Sequence, residues 1–553
     1  MKTNFSRLRL RLGAGLALLL AGGCQNLTPE ATPAPVASAS RSDAALTCAQ
    51  QPEGTNYVIY PQCADGPAVG DVMPYYNAAD NRTYSYFLKD VWNDATTQRH
   101  PWYGLYTDNF SAYYPVGPGT GGELLGCSAP TCAPDFALGT GSIVQRNGTL
   151  YAYYTGFNPN TSSCPNPKEG VMLATAPAVG QAFVKNLNFQ TLYAPAGLNF
   201  DSNDNFRDPY VYYDAAAAKY YLLVAARRNV AGTWRGVIAY YTSPDLLTWT
   251  YQDAYQYAGG STNFFMMECP QLLKLGSTYY LLFSDMDAKT MYYRKGSSPT
   301  GPWSAPAGNA RFEGNGCYGG KVITDKYGDS YLQAWVHRRA GATDTGAWQW
   351  GGNLLTHKLY QLANGDLALT IPHTLKSYLE ATTPAFTKSS QWGNVTNVLA
   401  NTESYRLVST ANNDVANVLY DPINLTRFKI SATVSYASAG KDFGFLLAAC
   451  DGYNQFYSLR FVPGQNRFRL DFTNRASLTS TTVATADVPF PLQPNTDYTV
   501  DIVEENSVVV VYLNNVAALT ARIYKAPKTS WGVFVDNSTA TFKNIVVKAP
   551  AVQ

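Results

Sequence analysis

LLKLGSTYYLLFS, residues 272–284, decides how this chain is to be read. An apolar strand runs into a Gly-Ser turn and returns as a second strand of Tyr, Leu and Phe, residues that suit a pleated, half-buried surface. The same phrase returns in other letters as NAADNRTYSYFL (77–88), VQRNGTLYAYYTG (144–156), VYYDAAAAKYYLLVAAR (211–227) and VITDKYGDSYLQAWV (322–336). The copies begin near residues 71, 142, 208, 268 and 321, a spacing of roughly 50 to 70 residues. That length takes one four-stranded unit per copy. Five units in tandem predict a five-bladed β-propeller that closes near Pro372.

Outside the copies the texture changes twice. After a connector around 375–390, segments such as ISATVSYA, FGFLLAAC and FYSLRFV-PGQN-RFRLDF predict a second all-β unit, an antiparallel β-sandwich. At the start, Arg7, Arg9 and Arg11 precede an apolar run from Leu12 to Leu20 and then Ala21-Gly22-Gly23-Cys24. This is the pattern of a secretory signal peptide, too short for a membrane span, with Cys24 placed as a lipidation site. Residues 25–47 are a Pro/Ala/Ser/Thr tether. The expected order is a lipoprotein-type signal over 1–24, a tether over 25–47, a catalytic propeller over 48–375 and a C-terminal sandwich over 386–553. The protein is expected to be exported, either as a cell-surface or periplasmic lipoprotein or in secreted form.

Composition narrows the partners. The 553 residues carry 41 basic and 39 acidic side chains, a net charge of +2, with no basic tract. That excludes a nucleic-acid partner. The chain holds 41 Tyr, 24 Phe and 10 Trp against 4 His, and aromatic faces suit sugar rings. Of nine cysteines, Cys127/Cys132 and Cys48/Cys63 are candidate disulfides in an exported chain. No Cys/His group has zinc spacing, so no metal and no other cofactor is expected.

In a propeller the innermost strand of every blade lines one central channel, so residues distant in sequence converge there. Three copies open on a carboxylate followed within three residues by proline: Gly70-Asp71-Val72-Met73-Pro74, Arg207-Asp208-Pro209 and Met267-Glu268-Cys269-Pro270. Carboxylates crowded together cannot all ionise, and the one in the most apolar setting is the one to stay protonated. Phe264-Phe265-Met266-Met267 before Glu268 makes it the expected acid, with Asp71 the ionised partner. Arg207 is expected to hold Asp208 ionised. An acid beside a carboxylate is the pair that glycosidic cleavage requires.

An early Asp, then Arg-Asp-Pro, then Glu-Cys-Pro about 60 residues later resembles glycoside hydrolase family 32, the fructan-hydrolysing group of levanases, inulinases and invertases. Thr140-Gly141-Ser142 and Ser243-Pro244-Asp245 are secondary matches, and the resemblance covers about residues 66–372 plus the sandwich. It implies Asp71 as nucleophile, Glu268 as general acid/base and Asp208 as the stabiliser that binds sugar hydroxyls. It also implies retention through a covalent fructosyl-enzyme, the carboxyls about 5–5.5 Å apart, and no cofactor. The family's Trp-x-Asn-Asp-Pro-Asn-Gly motif is replaced by Gly70–Pro74. Val91-Trp92-Asn93-Asp94 keeps part of it but is out of phase with the repeat.

Substrate contacts are expected from Arg207, Ser142, Trp92, Trp102, Lys321 and Trp335, with Asp344, Trp348 and Trp350 on a Gly-rich loop at the rim. His100, His337, His357 and His373 read as structural. The expected partner is a fructan or other oligo- or polysaccharide, bound by a monomer. Two other readings stand beside this one: an inverting arabinan- or xylan-active enzyme like glycoside hydrolase family 43, and a non-catalytic carbohydrate-binding surface protein on a propeller scaffold.

Overall fold

Between Arg146 and Thr149 the chain reverses through Asn147 and Gly148, both left-handed (φ 51° and 83°), and pairs directly with itself. A two-residue turn with positive φ at both positions matches the twist of the strands it joins, which is why Asn-Gly sits there. The computed structural model describes residues 56–63, 68–90, 99–307, 311–344, 346–411, 414–450, 455–474, 486–524 and 530–551. The expected signal peptide with Cys24, the tether, Cys48 and Trp92 lie outside the described residues.

Such hairpins build five antiparallel blades, each begun by an inner strand: Val69–Asn77, Ala137–Arg146, Phe206–Asp214, Met267–Leu275 and Cys317–Thr324. The cores lie between blades. Tyr84, Tyr86 and Trp102 of blade one pack on Leu138, Leu150 and Tyr154 of blade two. Blade two in turn gives Tyr153 and Leu173 to Leu222 and Val224 of blade three. Tyr221 and Tyr240 of blade three meet Phe264, Met267 and Leu281 at blade four. Residues alternate along each strand, so one blade feeds two cores. The ring closes where Val69 of blade one pairs with Gly352 of blade five, which joins the first and last blades into one eight-stranded sheet.

The C-terminal part is a sandwich of two seven-stranded antiparallel sheets around a core that includes Phe445, Leu459, Val511 and Phe542. Its junction with the propeller is a true core, where Leu282 and Leu332 share a cluster with Val508, Val510 and Tyr512. Glu505 of the sandwich accepts the backbone N–H groups of Val58, Ile59 and Tyr60 and is bound by Arg427.

Among the described residues, the disulfide bond differs from the expected Cys127/Cys132 pairing. Cys132 bonds Cys164, 32 positions away, while Cys127 is a free thiol directed at the Arg99 carbonyl. The reason is local: Asn158 donates to the carbonyls of Thr131 and Ala133, both at 2.8 Å, which lays the 158–164 loop over Cys132.

Candidate active site

Each inner strand carries the same defect at the same place. Register breaks between Gly70 and Met73, Leu138 and Gly141, Arg207 and Tyr210, Glu268 and Gln271, and Tyr318 and Lys321. At each, two residues oppose one on the partner strand, a β-bulge that re-aims side chains. Four of the first bulge residues are left-handed: Asp71 (φ 36°), Asp208 (φ 59°), Cys269 (φ 49°) and Gly319 (φ 66°). Proline fits the second bulge position in blades three and four because no ladder bond is needed there. Two rings of equivalent residues result. One is Gly70, Leu138, Arg207, Glu268 and Tyr318; the next is Asp71, Gly139, Asp208, Cys269 and Gly319. All but Gly70 and Gly319 line one cavity of about 390 Å³ at the channel mouth, a size in the usual range for small-ligand sites.

The two bare glycines are required by their neighbours. A Cβ on Gly70 would meet Trp350 Cζ2 at 2.2 Å, and one on Gly319 would meet Trp335 Nε1 at 2.9 Å and Asp71 Oδ1 at 3.0 Å.

Asp71 Oδ2 accepts from Thr140 Oγ1 at 2.7 Å, and Oδ1 accepts from Trp335 Nε1 at 3.0 Å. Burial pushes its carboxyl above the usual aspartate value and the charge of Glu268 adds to this; the Thr140 and Trp335 bonds and Lys321 oppose it. Asp208 Oδ2 accepts from the Cys269 N–H at 2.9 Å. Burial first, then Glu268 and Asp71, raise Asp208 to about 7 against the pull of Arg207. Glu268 Oε1 accepts from Arg207 Nε at 3.0 Å and Nη2 at 2.7 Å, and Oε2 accepts from Tyr318 Oη at 2.5 Å.

These contacts revise two expectations. Arg207 hydrogen-bonds Glu268 and Glu169, not the adjacent Asp208, because equivalent ring positions of neighbouring blades face each other while consecutive residues diverge. Nor do the apolar residues before Glu268 surround its carboxyl. Phe264 and Met267 fill the core between blades three and four, and Glu268 itself faces a guanidinium and a phenol.

Of the expected substrate contacts, Arg207 and Trp335 line the cavity. Trp102 is fully buried, donating Nε1 to Gly139 O and packing edge-on to Tyr154 and Phe183. Ser142 lies a layer deeper, where its Oγ takes the Val211 N–H at 3.0 Å. Lys321 spans the channel beneath the cavity with Nζ on Gly141 O at 2.5 Å. None of these three reaches the cavity wall: Ser142 and Lys321 fall beyond the bulge of their inner strands, and Trp102 sits on the third strand of its blade. Trp348 and Trp350 line the mouth, and Asp344 is held from the sandwich by Tyr457 Oη at 2.5 Å.

The sequence assigned no site role to Glu169, Thr140 or Tyr318 and read His100 and His337 as structural, yet all five line the wall. His100 stacks on Trp350 with centroids 4.1 Å apart, and His337 packs on Trp335 at 4.6 Å. Burial lowers His100 to about 4 and His337 to about 3, so both are neutral aromatic surface at ordinary pH. Tyr318 was findable by aligning the residue before each bulge; Glu169 carries no such signal.

Among the described residues one group offers metal-ligand types together: Glu313, Cys317 and His357, buried at the junction with the sandwich and away from the cavity. Protein groups already engage two of the three. Glu313 accepts from the Gly314 and Thr520 N–H groups and lies 2.8 Å from His357 Nε2, while His357 Nδ1 meets Tyr512 Oη at 2.8 Å.

Comparison with known proteins matches residues 135–368 to the glycosyl hydrolases family 32 N-terminal domain and residues 368–547 to the GH32, BT1760-like, C-terminal domain. Blade one, with Asp71, precedes the matched residues. No curated protein sequence matches the chain. Among solved structures, exo-inulinase from Aspergillus awamori is 14% identical and superposes with TM-score 0.65 over 90% of this chain and 99% of its own. Sucrose-6-phosphate hydrolase from Lactobacillus gasseri is 16% identical, with TM-score 0.61 over 90% and 93%. A Bombyx mori beta-fructofuranosidase is 15% identical, with TM-score 0.58 over 88% and 94%.

Proposed function

The chain belongs to glycoside hydrolase family 32 and is a glycoside hydrolase, and from that premise we propose that it cleaves β-fructofuranosidic bonds of fructans or sucrose with retention of configuration. The observation that carries the proposal is the entry of Asp71 and Glu268 into one cavity from blades one and four. Asp71, braced by Thr140 and Trp335, attacks the anomeric carbon of the terminal fructosyl unit. Glu268 protonates the departing oxygen. Water then cleaves the fructosyl-Asp71 ester, with Glu268 as base. Asp208, raised to about 7 and so shared between its protonated and ionised forms near neutral pH, can both donate to and accept from ring hydroxyls. The aromatic wall of Trp335, Trp348 and Trp350 suits the apolar faces of sugars. Cys24, in this reading, anchors a monomeric enzyme to the membrane surface through a lipid.

The test is fructose release from levan, inulin and sucrose, with proton NMR of the first product anomer. Wild-type protein is expected to release β-fructofuranose first and Glu268→Gln to release almost none. Equal rates for the two proteins would sink the reading. A Cys24→Ser chain that stays with the membrane fraction would remove the anchor.

A further inference from the structure

Glu169 opens the third strand of blade two, Glu169–Ala176, and its carboxylate is 6 % exposed at the edge of the cavity. Oε2 accepts the Phe206 N–H at 2.7 Å, and Oε1 receives Arg207 Nη1 at 3.1 Å. Arg207 turns its other edge, Nε and Nη2, to Glu268 Oε1. One planar guanidinium therefore stands between two carboxylates of different blades, its fork used on both sides.

A brace between blades does not need charge, because apolar side chains of similar volume serve as well in a buried setting. This carboxylate instead pairs with the cation that hydrogen-bonds Glu268. We propose that Glu169 is a positioning residue for the acid/base group, holding the Arg207 fork against Glu268 Oε1 and cancelling the positive charge that Arg207 would otherwise impose there. The proposal rests on Glu268 being the acid/base of the reaction above.

The surroundings leave this role to Glu169. Glu268 is faced by Arg207 and Asp208 from blade three, Tyr318 from blade five and Asp71 from blade one. Lys289 of blade four lies over the Tyr318 ring at 5.7 Å, and the cavity histidines are neutral. Glu169 is faced by Arg207 and by Asp204, which is paired with Lys168 at 2.9 Å. Burial raises the Glu169 carboxyl and Arg207 draws it back down.

With Glu169→Gln the shape is kept and the charge is gone, so the guanidinium acts on Glu268 unopposed and favours its carboxylate. The alkaline limb of the kcat/KM–pH profile, measured on whichever of levan, inulin or sucrose the wild type cleaves, is expected to move down by about one pH unit. Glu169→Asp keeps the charge but draws it back from Arg207, and is expected to give a smaller shift in the same direction. It serves as the test if the Gln variant does not fold. A limb unmoved in the folded variants, with activity lowered equally at every pH, would leave Glu169 a structural brace and overturn the proposal. Glu268→Gln is run alongside. If that variant stays active, the assignment of Glu268 fails; if it is inactive while the limb stays fixed, only the role of Glu169 fails.

Discussion

Trp335 donates its indole N–H to Asp71 Oδ1 at 3.0 Å, across 264 positions of sequence and between the last blade and the first. The contact orients the carboxylate and lowers the cost of its charge. In Trp335→Phe that donor is lost, and kcat/KM is expected to fall about 10- to 100-fold, the usual worth of a bond to a charged group. The acid limb of the pH profile moves to higher pH, because Asp71 ionises less readily without the donor. An unchanged acid limb would separate Trp335 from the ionisation of Asp71.

Asp71→Asn removes the proposed nucleophile while preserving volume. Activity is expected to fall by at least about 10⁴-fold, as for other covalent catalysts stripped of their nucleophile. Mass spectrometry of rapidly quenched wild type is expected to find a fructosyl adduct on the peptide containing Asp71. An adduct on another carboxylate would relocate the nucleophile.

Asp208 links the site to stability. An unfolded aspartate titrates near pH 4, whereas burial places this one at about 7. Below pH 4 both states are protonated and nothing is lost. As pH rises from about 4 to 7 the unfolded chain ionises first, and stability falls by on the order of 2–4 kcal/mol. Asp208→Asn is therefore expected to unfold at the same temperature as wild type at pH 4 and at a higher temperature at pH 8. Equal melting temperatures at both pH values would contradict the raised carboxyl.

Glu504 poses the same problem away from the site. It is fully buried in the sandwich, its Oε1 has no hydrogen-bond partner among the described residues, and burial raises its carboxyl well above the ordinary glutamate value. Glu504→Gln is expected to leave stability unchanged below pH 4 and to increase it progressively above, read as the urea midpoint at several pH values. Activity at pH 6 should not change. A midpoint difference independent of pH would point to packing as the cause.

How much of this was legible in the sequence depends on which force governed each residue. The blades were readable because turn chemistry and strand alternation are local. Asp208 and Glu268 were readable because proline marks the bulge beside each. Thr140 was reached only as part of a motif whose serine drew attention, although it is the threonine that bonds Asp71. Trp102 and Trp335 look alike in sequence, yet one falls between blades and the other on the wall, because Trp102 sits on the third strand of its blade and Trp335 on the second. Arg207 and Asp208 are neighbours in the chain, yet the Arg207 hydrogen bonds go to Glu268 and Glu169 of other blades. Glu169 was invisible, for its partner is fixed only once blades two and three are packed.

The seam between Val69 and Gly352 carries a last consequence. The first blade leaves the ribosome with its inner strand unfinished on one side, and Asp71 has neither its indole donor nor its wall until the fifth blade arrives. The N-terminal segment likewise finds Glu505 only after the sandwich is made. Asp71 thus acquires its indole donor from a residue made 264 positions later, and the circle that frames it is closed by strands from its two ends.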